Sequence, residues 1–179
     1  MATNSPPTSF SRFKLAAVDP PPAKEPVRYA AFALNCASCN GGQFHVGSFP
    51  VIAPDPSPYY KVAPGQTIDR PPHRLRCAGC GATEVIFDTR SDGYDGKLNG
   101  GGRYESGEAG ETFTDAPYEV IAYAVYNIGL EELEELAPRA GPDAKPSDLF
   151  DWFNLLALPV GSGTAWDSEV AFEWDYRCG

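Results

Sequence analysis

Cys36-Ala37-Ser38-Cys39-Asn40-Gly41 and, after 37 residues between Cys39 and Cys77, Cys77-Ala78-Gly79-Cys80-Gly81 decide how this chain reads. Two residues between paired cysteines let both thiolates of a tight turn face one ion. Two such turns complete a tetrahedral S4 site, the arrangement zinc prefers at roughly 2.3 Å per bond. The position after the second cysteine of such a turn calls for positive φ. Gly81 adopts it without steric cost, and Asn40 nearly as readily. An apolar residue precedes each pair, Leu34 and Leu75. Strand-like runs flank them: residues 29–34 enter the first turn, Phe44 to Phe49 leave it, and residues 83–89 follow the second. The pattern is strand, knuckle, strand, written twice.

On Cys36, Cys39, Cys77, Cys80 and the glycines after them, residues 30–90 resemble the zinc-ribbon and rubredoxin-like proteins. The interval between the knuckles is longer than in many ribbons. It suits a longer-limbed zinc β-fold with the knuckles on separate hairpins. The resemblance implies a structural Zn2+, with iron the less favoured ion because S4 geometry does not by itself separate the two. It implies no activity, since function resides in sites rather than folds. A closed S4 site leaves no open coordination position and so argues against catalysis at the metal. A redox CxxC is disfavoured, because such motifs sit at helix N-termini and glycine turns follow both pairs here. His45 and His73 are stand-in ligands that four cysteines make unnecessary, and Cys178 reads as an incidental thiol.

Working outward, residues 1–27 hold Pro6, Pro7, Pro20, Pro21, Pro22 and Pro26. Proline lacks the amide donor and fixes φ, so this region predicts an extended arm. The arm is either disordered or laid on a partner, and Phe10, Phe13, Leu15 and Val18 are its candidate anchors. Residues 50–72 read as an irregular, proline-rich connector. Residues 91–111 contain seven glycines and predict a long loop or hairpin tip. Residues 117–127 are rich in β-branched and aromatic types and predict a buried strand. Leu130, Leu133, Leu136 and Ala137 recur at helical spacing. Ser147 resembles an N-cap for a second helix, with Leu149, Trp152, Phe153 and Leu156 on one face and Pro159 as its stop. Val170, Phe172, Trp174 and Tyr176 alternate with Glu169, Ala171, Glu173 and Asp175, the pattern of a half-buried strand. The expected fold is a β-rich α+β domain. A zinc-ribbon-like β region (28–90) packs with a strand–helix–helix–strand half (112–179). The arm (1–27) and a Gly-rich loop (91–111) complete that one domain.

The net charge of −10 conceals a division. Residues 1–80 carry eight basic and four acidic side chains, leaving six basic and twenty acidic in 81–179. The mildly basic part coincides with the knuckles and the strongly acidic part with the remainder. Mutual neutralisation is the simpler expectation, and a dipolar surface that orients a charged partner is the sharper one. No apolar run is long enough for a secretory signal or a membrane span, and paired knuckles suit a reducing compartment. The expectation is a soluble cytoplasmic protein without a membrane role.

No GxSxG, HExxH, P-loop or strand-following GxGxxG pattern occurs, and two histidines make a nucleophile–histidine constellation improbable. Asp88, Asp92 and Asp95 resemble an oxygen-rich cation loop but lack EF-hand spacing, and read as a solvated turn. Trp152, Trp166 and Trp174, with Tyr118, Tyr123 and Tyr126, read as core rather than an aromatic cage. The resulting expectation is a non-enzymatic structural-zinc protein that binds another protein, as a subunit of a larger assembly. Alternatives are a nucleic-acid-associated ribbon using the basic strip Arg70, Arg74 and Arg76, or an acidic inhibitor or immunity-type protein, including a DNA mimic. An enzyme built on the 91–111 loop is a further alternative.

Overall fold

The computed structural model describes residues 6–19, 28–52, 63–88, 97–98, 102–103, 110–126, 131, 134–135, 148–162 and 172–177. A short 3₁₀ turn, η1 (Thr8–Arg12), is followed by β1 (Phe13–Ala17), β2 (Arg28–Cys36), β3 (Gln43–Ile52), β4 (Thr67–Cys77) and β5 (Thr83–Phe87). Then come β6 (Lys97–Leu98), β7 (Gly102–Arg103), β8 (Thr112–Phe113), β9 (Tyr118–Tyr126), β10 (Trp152–Pro159) and β11 (Phe172–Arg177). Among the described residues, no helix is long and apolar enough to cross a membrane.

β9 organises the sheet. Its valine, isoleucine and tyrosine side chains suit a pleated, half-buried surface. One edge pairs with β10 from Tyr118↔Pro159 to Val125↔Trp152. The other edge is shared: β2 takes Ile121 to Tyr126, and β3 takes Tyr118 and Glu119. β1 extends the sheet beyond β2, and β11 extends it beyond β10. β4 and β5 extend it beyond β3, and β8 joins β3 at Gly47 and Ser48. The outcome is a nine-stranded, curled antiparallel sheet, with β6 and β7 forming a separate two-stranded ribbon.

Curling brings distant strands face to face over one apolar core. Phe87 of β5 stacks on Phe153 of β10, with ring centroids 4.3 Å apart and planes 10° apart. Phe10 of η1 meets Phe153 and Phe32 edge-on at 5.9 and 6.2 Å. The arm residues Phe10 and Phe13 are thus buried in this chain's own core. Two polar ties hold the arm. The Thr8 amide donates to the Asp148 carboxylate at 2.8 Å, and the Arg12 guanidinium donates to the Val85 carbonyl at 2.8 Å.

The expected α+β architecture is overturned, because the helix anticipated after Ser147 is strand β10. Phe153, Leu155 and Ala157 face the main core, while Leu156 and Leu158 pack with Ile121 in a second cluster. A strand buried on both faces shows no alternation, so its apolar run also satisfies a helical pattern. Pairing along the full length of β9 settles the competition. Of residues 130–137, Glu131, Glu134 and Glu135 are described and carry helical backbone; the rest of that expected helix lies outside the described residues. The connector read across 50–72 is also corrected at both ends. Pro50 lies in β3, and Pro71 and Pro72 lie in β4. The register shifts between Phe49↔Arg70 and Gly47↔Arg74, so the two prolines fall where regular pairing is interrupted and a missing amide costs little.

Phe153 is fully buried and touches Phe10, Phe87 and Phe150. Phe153→Ala is expected to lower stability by about 3–5 kcal/mol in urea unfolding. A loss below about 1 kcal/mol would contradict this core assignment.

Candidate metal centre

Knuckle one links β2 to β3, and knuckle two links β4 to β5. Because β2 and β3 share one edge of β9, the chain must turn between Ala33 and Gln43. That turn lies beside knuckle two, since Phe44 pairs with Cys77 and the Ala78 amide donates to the Gln43 carbonyl at 2.9 Å. The two turns are built alike. The Cys36 amide donates to the Gly41 carbonyl at 2.8 Å, and the Cys77 amide to the Ala82 carbonyl at 2.8 Å. The Asn40 amide donates to the Cys36 carbonyl at 2.8 Å, and the Gly81 amide to the Cys77 carbonyl at 2.9 Å. Asn40 and Gly81 have φ of 64° and 75°, the left-handed region anticipated for these positions. The knuckles are therefore related by a local pseudo-twofold.

Cys36, Cys39, Cys77 and Cys80 converge with all four Sγ atoms within 4.8 Å of one another. Cys36 Sγ lies 3.6 Å from Cys80 Sγ, and Cys39 Sγ lies 3.5 Å from Cys77 Sγ. These separations are far beyond a disulfide bond, and all four thiols are free. A tetrahedron with roughly 2.3 Å metal–sulfur bonds has edges of about 3.8 Å, close to both distances. Cys36 and Cys77 are buried, whereas Cys39 and Cys80 are exposed. The Cys39 backbone amide is the largest influence lowering the Cys36 thiol, to about 7. At Cys80 the Ala82 amide pulls downward, but the Cys39, Cys36 and Cys77 sulfurs together push the thiol up to about 12. The Cys36 thiolate forms readily and that of Cys80 resists, because negative sulfurs in contact repel. A bound cation removes that conflict. The donor set fits a soft or borderline tetrahedral ion.

The stand-in ligands lie elsewhere. His45 donates from Nδ1 to the Thr114 carbonyl at 2.8 Å. His73 is fully buried, with Nδ1 3.4 Å from the Gly47 carbonyl. The basic strip is largely engaged within the chain. Arg74 pairs with Glu111 at 3.3 Å, and the Arg76 guanidinium lies 4.3 Å from the centroid of Phe113. Phe113 sits against Gly47, where an added Cβ would approach its ring to 2.7 Å. Arg70 lies in β4 opposite Phe49, and its side chain is outside the described residues. Glu111 and Phe113 carry no sequence signal for this role, since they reach β4 only through the pairing of β8 with β3. Tyr118 and Tyr126 pack on the main core and Tyr123 on the second cluster. Asp88 is half-buried at the end of β5. Asp92, Asp95, Trp166, Cys178 and the side chain of Trp174 lie outside the described residues.

Comparison with protein-family models, curated proteins and solved structures returns no match for this chain.

Burial pushes the His73 imidazole down to about 4, against an opposing hydrogen bond to the Gly47 carbonyl. Its neutral form is the one that folds. As pH falls from about 6.5, the unfolded chain takes up a proton that the folded chain refuses. Stability is therefore expected to decline between pH 6.5 and 4, by on the order of 3 kcal/mol in total. The check is unfolding free energy against pH for the parent and His73→Leu. Both lose metal ligation in acid alike, so the slope that disappears in the variant isolates His73. Parallel profiles would refute its contribution.

Proposed function

We propose that this is a non-enzymatic, structural-zinc protein. Cys36, Cys39, Cys77 and Cys80 hold one Zn2+, and the surface so maintained binds another protein as part of a larger assembly. The convergence of four free thiols within 4.8 Å carries the zinc reading. When bound, the ion supplies charge neutralisation and a crosslink between the turn that enters β3 and the turn that leaves β4. Four thiolates fill a tetrahedral site, so no coordination position remains for a substrate. Zinc is preferred to iron because two CxxC knuckles that close an S4 site in a reducing cytoplasm are the usual setting of a structural zinc.

The acidic balance of residues 81–179 favours a basic protein surface as partner. A nucleic-acid role is the weaker reading, because Arg74 and Arg76 are already occupied by Glu111 and Phe113. An inhibitor or immunity-type protein that imitates phosphate spacing with acidic side chains remains an alternative form of the same protein-binding role.

Metal analysis of protein purified without added metal is expected to give one zinc per chain and no visible iron–thiolate absorption. Chelation under mild denaturant should lower the unfolding midpoint sharply and change the circular dichroism, since metal binding energy is folding energy. Unchanged spectra and midpoint after metal removal would defeat the structural role. For the partner, capture from host extract at low and moderate salt should retain a protein after nuclease treatment. Retention only of nucleic acid, lost in the Arg76→Ala variant, would instead favour the ribbon reading.

A further inference from the structure

The pseudo-twofold exchanges Cys36 with Cys77 and Cys39 with Cys80, so the two close sulfur pairs are its mates. Each pair joins one buried and one exposed cysteine, at nearly equal separation. They differ in what surrounds them. A Cβ placed on Gly41 would lie 3.3 Å from Cys39 Sγ and 3.5 Å from Cys77 Sγ. A Cβ placed on Gly79 would lie 3.7 and 3.8 Å from the same two atoms. Under the pseudo-twofold, Gly41 corresponds to Ala82 and Gly79 to Ser38. The positions that flank Cys36–Cys80 therefore carry side chains, and those that flank Cys39–Cys77 carry none. The turn geometry does not require this. Positive φ falls at Asn40 and Gly81, not at Gly41 or Gly79.

We infer that the Cys39–Cys77 pair is a peroxide-reactive site, at which a hydroperoxide oxidises the two sulfurs to a disulfide and the zinc is released. This rests on the structural-zinc reading. The exposed Cys39 thiolate attacks one peroxide oxygen. An S–O bond forms, the O–O bond breaks and hydroxide leaves, giving a sulfenic acid. Cys77, already 3.5 Å away, attacks that sulfur; the S–S bond forms, the S–O bond breaks and a second hydroxide leaves. The two sulfurs supply the two electrons that reduce the peroxide. Zn2+ loses two of its four ligands, and the crosslink between the β2–β3 and β4–β5 turns opens. The missing side chains at residues 41 and 79 give the oxidant its approach, and the pair's contact provides the resolving thiol.

The test uses zinc-loaded protein and hydrogen peroxide, with released zinc followed by a chromophoric chelator and disulfides mapped by mass spectrometry after alkylation. The expected result is one zinc released per chain together with a Cys39–Cys77 disulfide, reversed by a thiol reductant. Gly79→Val, which shields that pair, should slow release several-fold, and Ser38→Gly should add a Cys36–Cys80 product. A first disulfide at Cys36–Cys80, random pairing, or zinc retained in peroxide would each overturn the inference. If Gly79→Val does not fold, the mapping in the unsubstituted protein still decides it. Protein that carries no zinc before peroxide is added fails the structural-zinc reading itself, so the two failures are distinguishable.

Discussion

β9 is paired along one edge by β10 and divides its other edge between β2 and β3, and the four-cysteine cluster depends on that division. Two strands that follow one another on the same edge cannot pair with each other there. The chain between them must turn out of the sheet, and Cys36 to Gly42 is that turn. β3 continues in the direction of β2, and β4 runs back beside it until its last residue, Cys77, stands opposite Phe44. The second knuckle follows at once. The sheet delivers the two turns to one place, and the sulfurs complete a contact that backbone pairing has already set up.

The same curvature explains the core. Phe153, Phe87 and Phe10 come from β10, β5 and η1, which are not neighbours in the sheet, yet their rings are in contact. A flat sheet would leave them apart. The amino-terminal segment supplies one of the most deeply buried rings, so the arm is part of the packing rather than an attachment. Arg12 at the Val85 carbonyl also covers an acceptor on the terminal strand β5, where an open edge would invite pairing with another chain.

Charge division takes a different meaning in three dimensions. The basic residues near knuckle two look like an unoccupied strip in sequence, but Glu111 and Phe113 are brought onto two of them by β8. Part of the acidic half thus neutralises part of the basic half, across one short strand. At the knuckles, the likeness of the two turns makes their differences informative. Glycines at 41 and 79, against Ala82 and Ser38, distinguish two sulfur pairs that distance and burial leave equivalent.

The sequence by itself determined the four cysteines of the cluster, the positive-φ residues after each knuckle, the strand at β9, the strand before the first cysteine pair and the strand after each pair. Each of these is a local rule, in which spacing, a missing Cβ or β-branching acts within a few residues. The identity of β10 was beyond such rules. Its run from Phe153 to Leu158 is buried on both faces and apolar but for Asn154, and a pattern without alternation fits helix and strand equally. Pro50, Pro71 and Pro72 were misread for a related reason, because whether a proline's missing amide matters depends on the partner strand and its register. The partners of Arg74 and Arg76 were also undecided by sequence, since β8 reaches β3 over a long separation. Only the tertiary structure decided these, because hydrogen bonding along a shared edge and burial on two faces are properties of neighbours that the local sequence does not name.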